Sequence, residues 1–327
     1  MRCARVFHII EGMNPSISVL MPVYRNKDSL RRAVLSLLNQ DYEGKIDVVL
    51  MFDDAKDGTI DVALALEKEY PDNVTLVRKD TPFGLGGARK EGIPYLKGDL
   101  IYSLDADDEM LPGAMKKMVD ALLSNDADMV NACFDEVVGP KHKTYFYNKK
   151  AIYDKYQALD ALFMDASFRS FLWSKLYRRE LLSARPLSIL EGKGVMFEDL
   201  SLVASLLLGA KKVVSIKDSV INYYQDVVTS SSASPRKDRT LRHLAAFAIT
   251  RLTLERSGDP KALKMFLHHR FRTYLSIAFD LGKDKKSGAD KAYVKEMKSA
   301  FRGLFKKGTL DVSKAPYQAL LENAFIA

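Results

Sequence analysis

The order of elements along this 327-residue chain predicts an α/β fold, a mostly parallel sheet with helices on both faces, followed by a helical C-terminal region. Two observations lead there. Short apolar runs alternate with stretches of helical spacing as far as residue 134, the pattern of strands crossing over through helices. Beyond a Ser/Pro-rich break at residues 230–235, only amphipathic helical spacing follows, at 241–254, 262–279 and 289–305.

The elements follow in order. Residues 17–21 form an apolar run stopped by Pro22, which reads as a buried strand. Apolar positions at helical spacing fill 30–38, with Asp28 or Ser29 placed to cap them. Residues 46–52 are a second strand that ends on Asp53 and Asp54, and 60–70 are helical. Residues 74–77 make a third strand, and a turn rich in glycine (Gly84, Gly86, Gly87) opens the next helix. A fourth strand at 99–104 delivers Asp105; a helix at 111–123 and a fifth strand at 129–134 follow. Residues 144–147 are β-prone, 153–164 helical and 213–224 strand-like. The predicted organisation is a lead-in at 1–15, an α/β domain at 16–232 and a basic helical region at 236–327.

Composition excludes several classes. With 47% hydrophobic and 28% charged residues the chain is neither disordered nor fibrous. The longest apolar stretch, 200–210, is interrupted by Ser201 and Ser205 and falls short of the ~20 residues a bilayer requires. No signal-peptide pattern precedes the first strand. Two cysteines, Cys3 and Cys133, make no disulfide framework and show no metal-ligand spacing, so the cytoplasm is the expected compartment. The net charge of +8 is uneven: residues 236–327 hold 20 Lys/Arg against 9 Asp/Glu. A basic segment favours phospholipid head groups or phosphate-bearing polymers; it is equally the composition of a solvated helical face. Nucleic acid is not expected, because no aromatic platform is interleaved with the basic residues.

In parallel sheets ligands bind outside the carboxyl ends of the strands. Three predicted strand ends carry special residues: Pro22 to Arg25, Asp53 with Asp54, and Asp105-Ala106-Asp107-Asp108. Asp105 and Asp107 put two carboxylates within reach of one hard divalent ion, which takes oxygen ligands and keeps sites for phosphate and water. An acidic turn closing a strand has the same composition, and Asp53-Asp54 followed by Asp57-Gly58 is also turn chemistry. Asp199 precedes an apolar run, where Asp is a good helix cap.

Together these elements resemble the family 2 glycosyltransferases of the GT-A fold. The resemblance is carried by Met21-Pro22-Val23-Tyr24, by Asp53-Asp54 with Asp57-Gly58-Thr59, by Gly84 with Ala88-Arg89 and Gly92, and by Leu104 to Asp108. It continues through Trp173-Ser174-Lys175-Leu176-Tyr177-Arg178-Arg179, Phe197-Glu198-Asp199 and Tyr223-Tyr224-Gln225, covering roughly residues 16–232. The resemblance implies a nucleobase pocket of Pro22, Tyr24 and Asp53, supported by Asp54, with Arg89 at the diphosphate. It implies Asp105 at the ribose or metal and Asp107 as the Mn²⁺ or Mg²⁺ ligand. Asp199 is then the general base, with Glu198 as fallback, and Trp173 and Asp108 stand at the acceptor or sugar. The implied activity is metal-dependent, inverting transfer from a nucleotide-sugar, a UDP-sugar by expectation. The implied acceptor is a glycan, lipid-linked or teichoic-acid-like hydroxyl, with the basic tail at the inner membrane face. Departures at Pro82 and Lys90, where the family commonly has Asn, keep a non-catalytic glycan-binding module as the alternative, and with Arg25 they leave the nucleobase and donor sugar open. A nucleotidyltransferase is disfavoured, because no Gly-rich loop with trailing Arg and Lys follows the first strand.

Overall fold

The computed structural model describes residues 14–53, 56–78, 84–145, 151–164, 168–183, 198–225, 246–247 and 249–269. Strands β1 (Ile17–Val23), β2 (Ile46–Phe52), β3 (Val74–Arg78) and β4 (Leu100–Ser103) are the parallel half of a ten-stranded sheet. Helices α1 (Leu30–Leu38), α2 (Thr59–Glu69) and α3 (Gly84–Gly92) connect them. The other half contains β5 (Glu109–Met110), β6 (Met129–Val138), β7 (Lys141–Tyr145), β8 (Ile152–Asp154), β9 (Lys175–Arg178) and β10 (Lys212–Tyr224). Helices α4 (Ala114–Ser124), α5 (Lys155–Met164) and α6 (Glu198–Gly209) complete the order. The main path across the sheet is β3-β2-β1-β4-β9-β6-β10-β5.

Strand β1 is buried on both faces, which is why it reads as an apolar run broken only by Ser18. Ile17, Val19, Met21 and Val23 enter one core with α1 and α4, while Leu20 enters the other with α5 and α6. Helix α1 buries Leu30, Ala33, Val34 and Leu37, the i, i+3, i+4, i+7 stripe of a one-sided helix. Truncating one of these leucines to alanine costs about 2–5 kcal/mol. The turn into β4 packs backbone against backbone: a Cβ at Gly98 would lie 2.5 Å from the Ser18 nitrogen. Ser18 Oγ accepts from Gly98 N–H at 2.8 Å there, which satisfies a buried amide and fixes where β4 begins.

Differences from the expected elements lie mainly in the second half. β9 was not anticipated; it runs antiparallel between β4 and β6 and joins the two halves of the sheet. A four-residue strand built from Lys-Leu-Tyr-Arg has no periodicity to announce it. The strand expected at 129–134 continues as β6 to Val138 and turns through Gly139 (φ 54°) into β7. The helix expected at 111–123 starts at Ala114, after Gly113 in the left-handed region (φ 70°).

Residues 1–13 of the lead-in, the proposed boundary at 232–236 and the helix expected at 289–305 lie outside the described residues. Helical residues 249–256 and 260–269 are described. They pack with α5 and α6, since Phe247, Leu254, Ala262 and Phe266 share that core. Lys155 Nζ and Asp259 Oδ2, 2.7 Å apart, tie them to the start of α5.

Candidate active site

At the carboxyl ends of β1, β2 and β4 the chain presents Tyr24, Asp53 and Asp105 side by side. Tyr24 is 50% exposed, its N–H turned back onto Asn26 Oδ1 at 2.9 Å. Pro22 is the penultimate residue of β1, paired across to Met51. Asp53 directly follows β2. Its Oδ2 accepts the Gly84 N–H at 2.9 Å, placing a carboxylate at the start of α3, where helix amides and dipole favour negative charge. Asp54 lies outside the described residues.

Helix α3 carries Arg89 under this edge. Only 2% of its side chain is exposed, and its guanidinium reaches two carboxylates from distant parts of the chain. Nη1 pairs closely with Asp199 Oδ1, and Nη2 lies 3.5 Å from Asp105 Oδ1. Asp199 is the second residue of α6 and its other oxygen accepts the Leu172 N–H at 3.4 Å. Those contacts hold the carboxylate between the Arg89 guanidinium and the Leu172 amide. The side chain of Glu198 lies outside the described residues.

The acidic turn divides into open and closed members. Asp105 and Asp107 are half-buried, and burial raises both carboxyls. Asp105 is pushed up to about 7, burial outweighing the pull of Arg89, with Asp107 and Asp199 adding repulsion. Asp108 is fully buried. Its Oδ1 accepts the Tyr224 N–H at 3.0 Å, and its Oδ2 has no hydrogen-bond partner among the described residues. Asp108, expected at the acceptor, therefore ties the acidic turn to the end of β10. Trp173, expected to stack on a sugar, is 3% exposed and backs a cluster of rings.

Two neighbours were not anticipated. Lys175, at the start of β9, is completely buried, its Nζ donating to Arg169 O (2.6 Å), Phe171 O (2.8 Å) and Ser174 Oγ (3.2 Å). Burial pulls its ammonium down to about 7, while Asp199 works the other way. Arg32, on α1, donates to the Asp107 carbonyl at 2.7 Å and lies 4.2 Å over the Tyr224 ring. A lysine inside Trp-Ser-Lys-Leu-Tyr could have been marked by its apolar flanks. Arg32 carries no such signal, because an exposed helical arginine is the commonest kind.

Among the described residues no three or more His, Cys, Asp or Glu side chains are grouped to hold a metal ion. The turn nevertheless fits an oxygen-bound divalent cation completed by phosphate and water. Asp105 and Asp107 are hard donors held close enough to repel one another, and Arg89 is divided between Asp105 and Asp199.

This sheet, with its acidic turn and an opposing carboxylate at the carboxyl edge, defines a glycosyltransferase of the GT-A architecture. The family model for glycosyl transferase family 2 matches residues 18–185. The chain belongs to glycosyl transferase family 2. EpsH of Bacillus subtilis (strain 168), named as a glycosyltransferase, is 28% identical over 215 residues, covering 64% of this chain and 60% of EpsH. Among solved structures, Staphylococcus aureus TarS 1–349 in complex with UDP-GlcNAc superposes with a TM-score of 0.59 at 17% identity. That match covers 94% of this chain and 79% of the TarS chain. The mannosyltransferase PcManGT from Pyrobaculum calidifontis, in complex with GDP-Man and Mn²⁺, superposes with a TM-score of 0.57 at 18% identity. It covers 96% of this chain and 87% of its own. At these identities the likeness to both structures is one of fold.

Proposed function

We propose that the chain transfers a sugar from a nucleotide-sugar, a UDP-sugar in our reading, to an acceptor hydroxyl with inversion at the anomeric carbon. The observation that carries this reading is the convergence of Asp199, Arg89 and Asp105 from α6, α3 and the end of β4. Tyr24 and Asp53, with Pro22 and Asp54, would receive the nucleobase. Asp107, with Asp105, would hold Mn²⁺ or Mg²⁺, which when bound supplies positive charge to the diphosphate. TarS with UDP-GlcNAc and PcManGT with Mn²⁺ support this choice of donor and ion.

The reaction needs three things of the protein. As the acceptor oxygen bonds to the anomeric carbon, Asp199 takes the hydroxyl proton, and the bond to the nucleoside diphosphate breaks with its electron pair on the leaving phosphate. Arg89 is shared between two carboxylates. A diphosphate offers it a third anionic partner, and exchanging Asp199 for phosphate frees that carboxylate to accept a proton. Leu172 N–H keeps Asp199 oriented through the exchange.

The acceptor in this reading is a glycan, lipid-linked or phosphate-bearing hydroxyl compound on the cytoplasmic side. Contact with the inner membrane face would run through the basic region at 236–327. Among the described residues no helix is long and apolar enough to cross a membrane. The test is a screen of sugar nucleotides for slow hydrolysis with Mn²⁺, which identifies the donor without an acceptor. Consumption of one UDP-sugar is expected. No consumption of any sugar nucleotide, by protein that folds, would favour the non-catalytic binding module.

A further inference from the structure

A cluster of aromatic side chains beside the acidic turn has two rings at its outer side. Trp173 stacks on Phe171 (centroids 4.5 Å apart, planes 11° apart) and on Tyr223 (5.2 Å, 21°). Phe134 meets the indole edge-on at 4.8 Å, and Tyr145 stacks on Phe134 at 5.1 Å. Phe171 and Tyr223 are 6.3 Å apart. An indole sandwiched between them would set them about 7 Å apart, two contact distances of about 3.5 Å. The two rings therefore lie side by side over the indole. Trp173 and Phe134 are buried, whereas Phe171 and Tyr223 are half-buried.

The shelf is anchored at both ends to carboxylates of the site. Phe171 precedes Leu172, whose N–H donates to Asp199, and Tyr223 precedes Tyr224, whose N–H donates to Asp108. It thus runs from the base to the acidic turn. The carboxyl groups of Asp108, Asp105, Asp107 and Glu136 lie near the Tyr223 hydroxyl. Lys175 donates to two carbonyls, and Arg32 donates to the Asp107 carbonyl and stacks on Tyr224. An open-chain polyol phosphate has no flat C–H face to lay on these rings. A neutral pyranose, which presents C–H groups on one face and hydroxyls at its rim, suits an aromatic surface ringed by hydrogen-bond acceptors.

We propose that Phe171 and Tyr223 form the acceptor subsite and hold a neutral pyranose ring, so that the acceptor is a glycan and not a polyol phosphate. The proposal rests on the transferase reading above and narrows it. Trp173 is the only tryptophan in the chain, so its emission reports on the shelf directly. The full-length protein, with UDP and Mn²⁺, would be titrated with methyl β-D-glucopyranoside, methyl N-acetyl-β-D-glucosaminide and glycerol 3-phosphate. At least one pyranoside should shift the Trp173 emission and speed donor consumption, and glycerol 3-phosphate should do neither.

Tyr223→Leu should raise the half-saturating pyranoside concentration about tenfold, the loss of one ring contact, with the rise falling on acceptor and not donor. Tyr223→Phe keeps the ring and should restore wild-type affinity, which separates a lost contact from a damaged fold. A response to glycerol 3-phosphate alone, a rise in donor KM instead, or silence of Trp173 toward every pyranoside would overturn the subsite. Failure to consume any sugar nucleotide would instead count against the transferase reading, while the emission titration still judges the shelf.

Discussion

The guanidinium of Arg89 is paired with the carboxylate of Asp199, 110 residues away in sequence, beneath the carboxyl edge of the sheet. The pair links α3 to α6, and Nη2 extends it to Asp105. Removing one partner of a buried pair leaves the other charge without compensation, at a cost of about 3–5 kcal/mol. Arg89→Met is therefore expected to lower stability in urea by an amount in that range and to abolish turnover. Arg89→Lys should recover part of the stability and little of the turnover, since one ammonium cannot span two carboxylates.

Asp199→Asn separates binding from chemistry. The amide still accepts from Leu172 N–H, so the rise in melting temperature with UDP and Mn²⁺ should persist. Turnover should fall by about 100- to 10,000-fold, the usual contribution of a positioned base. A variant with unchanged turnover would remove Asp199 from that role.

Asp107→Asn is expected to do the reverse, abolishing the Mn²⁺-dependent part of the thermal shift. Arg32→Ala should weaken apparent Mn²⁺ affinity several-fold in the same titration. Arg32 grips the Asp107 carbonyl and stacks on Tyr224, so its loss loosens the turn without touching a ligand. Equal Mn²⁺ affinity in wild type and Arg32→Ala would show that the turn holds itself.

Lys175 predicts a pH dependence whose sign is fixed by its depressed pKa. In the unfolded chain the ammonium holds its proton up to about 10.5, whereas burial brings the native group to about 7. Between those values the unfolded state binds more protons, so this residue's contribution to stability rises with pH and is flat below about 7. Lys175→Met removes the effect and leaves the carbonyls of Arg169 and Phe171 without their donor. Wild-type stability minus that of Lys175→Met, measured by denaturant from pH 7 to 10, should increase with pH.

A truncation testing the basic tail must begin after residue 269. Phe247, Leu254 and Phe266 belong to the core of α5 and α6, so removing everything from 236 would unfold that face. A 270–327 deletion that retains the wild-type far-UV circular dichroism should show weaker sedimentation with anionic phosphatidylglycerol vesicles. Undiminished sedimentation would show the tail's charge to be incidental.

The first four strands, the helices between them and the acidic turn at 105–108 were legible because each is local. An apolar run buried on both faces, a one-sided helical stripe and a carboxylate at a strand end all announce themselves within a dozen residues or so. β9 and the β6–β7 hairpin were not legible, because short strands take their identity from the neighbours they pair with. Site membership behaved the same way. The sequence alone determined that Tyr24, Asp53 and Asp105 share one edge, since parallel connections bring successive carboxyl ends together.

Only the tertiary structure decided what each group faces. Packing put Asp108 and Trp173 inside, left Phe171 and Tyr223 at the rim, and set Arg89 between Asp105 and Asp199. These are contacts between residues far apart in sequence. Their partners are chosen by how the sheet and its helices close, which no local pattern encodes.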